Sequence, residues 1–179
     1  MKYLSLLIFT YFLLLFGLKA QENQFNNGFG FGFHLSEYQN DFGLGLNVTS
    51  PFFLHDGVGV RARANLMFNQ NVVDSVTDFM PYNNLSIGFI GVGGRLGENI
   101  RLYGEGGFIA ILPSSKFSSE SMELGGYGLF GFEFFFTKFG NYFIEIGAVG
   151  TGAKADKVST KPIYSNGLTV STGVRFYLK

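Results

Sequence analysis

The sequence predicts an all-β fold: a closed antiparallel up-and-down transmembrane β-barrel of about eight strands, preceded by a signal peptide. Three observations carry this. Apolar and polar residues alternate with period two in nearly every segment between turn signals. The chain of 179 residues combines 26 Gly and 23 Phe with only 4 Pro and no Trp, a bias that suits strands in which Gly lets the wall close tightly while Phe covers its other face. The connections also tend to alternate between long and short, as in barrels with short turns at one rim and longer loops at the other.

Gly57–Phe68 shows the design best. Val58, Val60, Ala62, Ala64, Leu66 and Phe68 share one face, and Gly59, Arg61, Arg63, Asn65 and Met67 the other, so one side suits hydrocarbon and the other requires polar partners. Before it, Phe29, Phe31, Phe33 and Leu35 oppose Gly28, Gly30, Gly32 and His34. After a short polar turn at Ser36–Asp41, Phe42, Leu44, Leu46 and Val48 oppose Gly43, Gly45, Asn47 and Thr49. Pro51 makes Ser50–Asp56 a connection, because proline cannot donate to a strand ladder.

Asn69–Asn84 reads as the longest polar connection. The strand in 85–96 has no fixed phase through Phe89 and Ile90, where a bulge is expected. A tight turn at Leu96–Asn99 leads to Ile100–Leu112, with Arg101, Tyr103, Glu105, Gly107 and Ile109 on the polar side. Pro113–Met122 is serine-rich. In Leu124–Phe136, Phe130, Phe132, Phe134 and Phe136 oppose Tyr127, Gly131, Glu133 and Phe135. A turn at Thr137–Asn141 follows; then Tyr142, Ile144, Ile146 and Ala148 oppose Phe143, Glu145, Gly147 and Val149. The polar connection Thr151–Asn166 leads to a last strand, Gly167–Leu178, which sets Leu168, Val170, Val174, Phe176 and Leu178 against Thr169, Ser171, Gly173, Arg175 and Tyr177.

Volume decides which face points outward. An eight-stranded barrel is just wide enough inside to be filled by side chains or to hold one small ligand, so the Phe, Leu, Ile and Val rows cannot all enter it. Facing lipid, each large apolar side chain gains about 1.5 to 3 kcal/mol. Arg61, Arg63, Arg101 and Arg175 then face inward with Glu105, Glu133 and Glu145. Buried ions cost several kcal/mol each unless paired, which predicts a lumenal Arg/Glu network with Tyr103, Tyr127 and Tyr177 as further partners.

The first 20 residues, with Lys2, an uncharged run Tyr3–Leu18 and then Lys19 and Ala20, read as a secretory signal peptide cleaved between Ala20 and Gln21. The barrel domain is then 21–179. Basic and acidic residues both number 13; losing Lys2 and Lys19 leaves 11 against 13, net −2. There is no basic excess for nucleic acid, and without cysteine there is neither a disulfide framework nor a thiolate metal site.

YGEGGF at Tyr103–Phe108, GGYGLFGFEFFF at Gly125–Phe136 and the closing GLTVSTGVRFYL, behind a signal peptide, resemble the small outer-membrane β-barrel superfamily that includes the OmpA-type membrane domain and the PorT-like barrels of Bacteroidetes. The resemblance implies a bacterial outer-membrane location, lipid as the surrounding partner, and insertion by the barrel-assembly machinery. That machinery usually reads a terminal aromatic; here Phe176 and Tyr177 precede Lys179. Members do many different things, so the resemblance assigns no task.

Other motifs carry little. Gly126–Gly131 matches GxGxxG with Glu145 about 20 residues on, but a polar segment precedes it and no helix-forming run follows. His34 and Ser36 bring to mind outer-membrane lipid A deacylases, yet the phase turns His34 inward and no acid partner is in reach of a motif. His55–Asp56 reads as a turn rather than a metal site. The triplets at Asn47 and Asn84 fall in or beside strands. The expectation is a non-enzymatic barrel without cofactor or metal, structural or displaying Asn69–Asn84, Pro113–Met122 and Thr151–Asn166 to a surface ligand. A small-solute pore and an outer-membrane lipid-modifying enzyme are the alternatives.

Overall fold

In the computed structural model, which describes residues 27–39, 41–73, 76–158 and 162–178, eight strands form a closed antiparallel barrel. They are β1 Phe29–Tyr38, β2 Asp41–Thr49, β3 Val58–Val73, β4 Val76–Leu96, β5 Ile100–Leu112, β6 Glu123–Phe135, β7 Gly140–Gly150 and β8 Gly167–Leu178. Each strand pairs with its chain neighbours, and β1 closes the ring on β8 from Phe29↔Leu178 to Tyr38↔Thr169. Closure leaves no edge around the wall, which is what a sheet needs where no water can satisfy its backbone.

The period-two pattern becomes an inverted molecule. Side chains on the outer face are large, apolar and exposed: Phe31, Phe33, Leu46, Ile87, Phe89, Phe108, Phe130, Ile146 and Phe176 among them. Inside, apolar residues collect at the two ends. One end cluster contains Met67, Tyr82, Ile109, Ile111 and Val149; the other contains Phe52, Ile90, Tyr103, Phe135 and Tyr177.

Three expectations about the strands are corrected. The first strand runs on to Tyr38, which pairs with Asp41, so the hairpin is tighter than a turn at Ser36–Asp41. Asn69–Asn84 is not a loop. β3 and β4 remain paired out to Val73↔Val76, while β2 stops opposite Asn69 and β5 stops opposite Asn83. The hairpin therefore rises above its neighbours, where no barrel wall imposes the apolar alternation by which strands are recognised. Pro81 fits there because β5 has already ended, so its missing N–H costs no ladder bond on that side.

The third correction is the bulge. Alternation holds through Phe89, outward, and Ile90, inward; the register slips between Val92 and Gly94 instead. Ile90 looked out of phase only because the lumen itself has an apolar end.

The turn between β2 and β3 explains its own length. Phe53 bridges to Val58, and Leu54, His55 and Asp56 take φ of 50°, 59° and 59°. Asn27 ties this turn to the start of β1: its amide donates to the Phe52 carbonyl at 2.8 Å and to the Asp56 carboxylate, and its Oδ1 accepts from the Phe52 N–H. Phe52 is thereby tucked under the barrel, 5% exposed.

Glycine does two jobs in the wall. A Cβ at Gly131, facing inward, would overlap the Tyr103 ring, whereas one at Gly104, facing outward, has nothing nearer than the Leu129 carbonyl at 3.9 Å. Gly131→Val is accordingly expected to destabilise the refolded barrel by about 1–3 kcal/mol through overpacking. Gly104→Ala should stay within about 0.5 kcal/mol. Urea unfolding of both in the same lipid or detergent checks the contrast.

Candidate functional site

The inward positions of five strands converge on one ionic lattice. β3 supplies Arg61 and Arg63, β5 Arg101 and Glu105, β6 Glu133, β7 Glu145 and β8 Arg175, and all seven side chains are buried. Arg61 Nη1 lies 2.7 Å from Glu105 Oε2 and 3.1 Å from Glu145 Oε1, and its Nε–H donates to Thr49 Oγ1 at 2.9 Å. Arg63 bridges the same two carboxylates, at 2.7 Å to Glu105 and 2.6 Å to Glu145. Arg101 reaches Glu133 at 2.5 Å, which also pairs with Arg175.

Two weaker links join these halves: Arg175 to Glu145 at 3.5 Å and Arg61 to Glu133 at 3.7 Å. Phenols complete the lattice. Tyr103 donates to Glu145, Tyr127 to Glu105 at 2.8 Å, and Tyr177 to Glu133 at 3.0 Å.

The lattice holds four guanidinium groups and three carboxylates, so the surplus positive charge needs another form of compensation. Aromatic faces supply it. The Arg101 guanidinium sits 4.5 Å from the Phe52 ring centroid and 5.1 Å from both Phe135 and Tyr177; Arg175 sits 4.2 Å from Phe143. A desolvated cation over a ring gains about 2 kcal/mol.

A second polar layer escaped sequence reasoning, which turned His34, Asn47 and Asn65 inward without joining them and left Asn84 at the end of a connection. His34 Nε2 is 2.7 Å from Asn65 Oδ1, and Asn47 Nδ2 donates to His34 Nδ1 at 3.2 Å. An amide donating to Nδ1 leaves the imidazole proton on Nε2 for Asn65. Asn65 continues to Asn84 at 2.5 Å, and Asn47 Oδ1 accepts from Arg175 Nε at 2.9 Å, joining the ladder to the ionic lattice. Ser36 bonds to Ser171 at 2.9 Å, not to His34.

The mouth is covered. The segment 113–122 and the described residues 151–158 and 162–166 fold inward instead of standing free. Phe117, alone in a serine-rich segment, is fully buried, with its ring 5.0 Å from Tyr164 and 6.1 Å from Tyr82 between centroids. The segments are tied to each other: Lys157 N–H donates to the Phe117 carbonyl at 3.1 Å, and Asp156 accepts from Ser119 N at 2.8 Å and Oγ at 2.5 Å. They meet the rim at Asp41, whose carboxylate accepts from Ser165 N, Tyr82 Oη and Asn69 Nδ2.

The remaining sequence candidates find no chemistry. His55 and Asp56 form a turn, and among the described residues no group of three or more His, Cys, Asp or Glu could hold a metal. Gly126–Gly131 lies along β6, without the strand-to-helix turn a phosphate loop needs. Ala20 and Gln21 lie outside the described residues.

No family model matches the chain, and no curated protein matches it. Among solved structures it is similar to the N-terminal β-barrel domain of Pseudomonas aeruginosa OprF, with TM-score 0.60 and 15% identity over 86% of this chain and 98% of that one. The likeness is one of fold. Ail, the attachment invasion locus protein of Yersinia pestis, also matches, at TM-score 0.40 and 14% identity over 84% of this chain and 95% of that one. Both are small outer-membrane barrels of eight strands.

Two outcomes follow. Glu145→Gln strips Arg61, Arg63 and Arg175 of a shared carboxylate, and removing one partner of a buried pair costs about 3–5 kcal/mol. A matching drop in urea stability of the refolded barrel is expected. At the mouth, the Ser119 donors hold the Asp156 carboxyl below its ordinary value of 3.8, so the clasp contributes fully above that value and is lost as pH falls through the depressed one. Hydrogen exchange at the Ser119 amide, corrected for intrinsic rate, should lose protection in acid, and Asp156→Asn should flatten that pH dependence.

Proposed function

We propose that this chain is exported by its leader, cleaved between Ala20 and Gln21, and inserted by the barrel-assembly machinery into a bacterial outer membrane. There it serves as a non-enzymatic integral barrel with a filled lumen, reinforcing the envelope or binding a surface ligand at its mouth. One observation carries the reading: polarity is inverted. Phe108 is 77% exposed, Phe89 66% and Leu46 64%, while Arg61 and Arg175 are fully buried. A monomeric protein in water rarely shows contiguous apolar surface beyond a few hundred Å², whereas lipid makes such a belt favourable. Strands β1, β2 and β5–β8, with 9 to 13 residues each, suit the roughly 9–11 tilted residues that cross a bilayer.

The OmpA-type likeness supports the fold and the location. Kinship with PorT-like barrels rests on the Gly, aromatic and inward-charge patterns of the sequence. The binding surface of this reading is revised from three loops to a projecting β3–β4 hairpin beside a folded cover. With both termini periplasmic, these lie outside the cell.

A pore is disfavoured because Phe52, the ionic lattice and Phe117 occupy successive levels of the lumen. A deacylase is disfavoured because His34 and Ser36 face inward, away from acyl chains.

Fractionation combined with heat-modifiability on a gel tests the central claim: the protein should sediment with outer membranes and migrate faster unheated than boiled. A freely soluble secreted species with no such shift refutes it. Planar-bilayer recordings should show no sustained large conductance, and lipid A from cells with and without the protein should be identical on thin-layer plates.

A further inference from the structure

At the outer rim β4 outruns β5. Its ladder with β5 ends at Asn83↔Leu112, whereas its ladder with β3 continues to Val73↔Val76, so from Val76 to Tyr82 one edge of β4 has no neighbouring strand. One hydrogen bond fixes which backbone groups lie on that edge. The Val92 N–H donates to the Gly57 carbonyl at 2.8 Å, which turns the even-numbered residues of β4 toward β3, and the β3–β4 register runs without a shift from Val58↔Gly91 to Val73↔Val76. Successive residues of a strand direct their N–H and C=O to opposite sides. Thr77, Phe79 and Pro81 therefore face the place that β5 vacates, and a proline there interrupts no ladder.

The connection leaving β5 does not fill that place, because its backbone groups are engaged elsewhere. The Ser114 carbonyl accepts from Phe117 and Ser118 N–H at 3.1 and 3.2 Å, and the Phe117 carbonyl from Lys157 N–H at 3.1 Å. The Ser115 carbonyl accepts from Lys157 Nζ at 2.8 Å, and Ser119 N–H donates to Asp156 at 2.8 Å. Asp78, Phe79 and Pro81 are exposed. The Phe79 ring packs edge to face on Phe42 of β2, 5.5 Å between centroids, so it leans away from the open edge. Free edges are usually blunted by proline or charge. Pro81 blunts the foot of this one, while Thr77 and Phe79 keep both their N–H and their C=O. The surroundings are acidic: no Lys or Arg occurs between Arg63 and Arg95, where Asp74 and Asp78 are the charged residues.

We propose that the open edge of β4 docks an extended segment of a partner polypeptide, which adds as a strand above Leu112 and carries alternating apolar and basic side chains. Residues opposite Thr77 and Phe79 exchange N–H···O bonds with them and set their side chains on the outer face beside Phe79 and Leu112, which suits apolar groups. The residue between them stands opposite Asp78 on the face toward the mouth, which suits a cation. Pro81 accepts one further bond and donates none, so the pairing ends there. This mode of binding rests on the surface-ligand reading above for access from outside.

The probe is a fluorescently labelled nine-residue peptide of alternating valine and lysine, added to the refolded full-length barrel with empty micelles as the reference. It should bind saturably and slow exchange of the Thr77 and Phe79 amides but not of the Val72 amide. The same peptide methylated at its valine nitrogens loses the donors that face β4 and should bind at least about tenfold more weakly. Val72 and Thr77 share a rung of the ribbon, and the Val60 carbonyl, which accepts from Ser50 N–H at 2.8 Å, places the even-numbered residues of β3 toward β2. Proline at either position thus spares the rung and blocks one outer edge: Thr77→Pro should weaken binding about tenfold and Val72→Pro less than about twofold. Asp78→Lys should weaken binding of the lysine peptide and strengthen that of its glutamate counterpart, each by about two- to fivefold.

The proposal fails if the methylated peptide binds as tightly as its parent, if the protected amide is Val72, or if a folded, heat-modifiable barrel binds no peptide. It fails also if Phe79 is protected without peptide and increasingly so as protein concentration rises, because the occupant is then a second copy. Should Thr77→Pro not fold, the wild-type exchange pattern and the methylated peptide decide alone. A chain without a heat shift overturns the barrel reading itself, before any peptide is added, and the docking site with it.

Discussion

The constraint on which everything else depends is circumference. Eight strands closed on themselves leave an interior that side chains fill completely, so a charge turned inward has no water to fall back on. The ionic lattice answers that condition. Each carboxylate is shared: Glu105 by Arg61, Arg63 and Tyr127, Glu145 by Arg61, Arg63, Arg175 and Tyr103, and Glu133 by Arg101, Arg175 and Tyr177. Sharing spreads the desolvation of three anions over contributions from five strands, which makes the lattice a cross-brace of the wall. A hydrophobic filling of equal volume could match it in free energy, but it would not tie specific strands to one another in register.

Much of this was legible in the sequence, for a physical reason. The alternation of Phe29, Phe31 and Phe33 with Gly30 and Gly32, or of Phe130, Phe132 and Phe134 with Gly131 and Glu133, has its origin in the pleat, and a pleat between two solvents writes itself directly into residue order. The inward phase of the seven lattice residues, Arg61, Arg63, Arg101, Glu105, Glu133, Glu145 and Arg175, follows from the same rule. What stayed hidden lies where one of the two solvents is missing. The β3–β4 ribbon beyond Asn69 outruns β2 and β5, so no barrel wall imposes an alternation on it. Ile90 and Ile111 point into apolar ends of the lumen, where an inward residue need not be polar.

Tertiary placement hid the rest. Nothing local says that Phe117 is buried while Phe139 is not; that depends on Tyr82 and Tyr164 arriving from strands and segments far away in the chain. The one available signal was a lone aromatic in PSSKFSSESM. The asparagine ladder had an equally faint trace, since Asn47 and Asn65 each fell at an inward position while Asn84 was read as the end of a connection, and only the three-dimensional register sets them around His34. Unusually long turns were informative in retrospect. Ser50–Asp56 exceeds what joining β2 to β3 requires because it carries Phe52 to Arg101.

That last contact links the charge balance to the architecture of the closed end. Four guanidinium groups share three carboxylates, and Arg101, paired with Glu133, stands nearest the rim formed by the short turns. Water could solvate it there if the rim were open, but Asn27 clamps the β2–β3 turn so that Phe52 covers it. Phe135 and Tyr177 complete the surround, and the quadrupoles of the rings add to the attraction of the Glu133 carboxylate that Arg101 shares with Arg175. The Phe52 contact with Arg101 therefore lasts only while the turn stays closed. The plug at this end and the ionic lattice above it are one device: opening the turn would expose a cation whose shelter also seals the lumen.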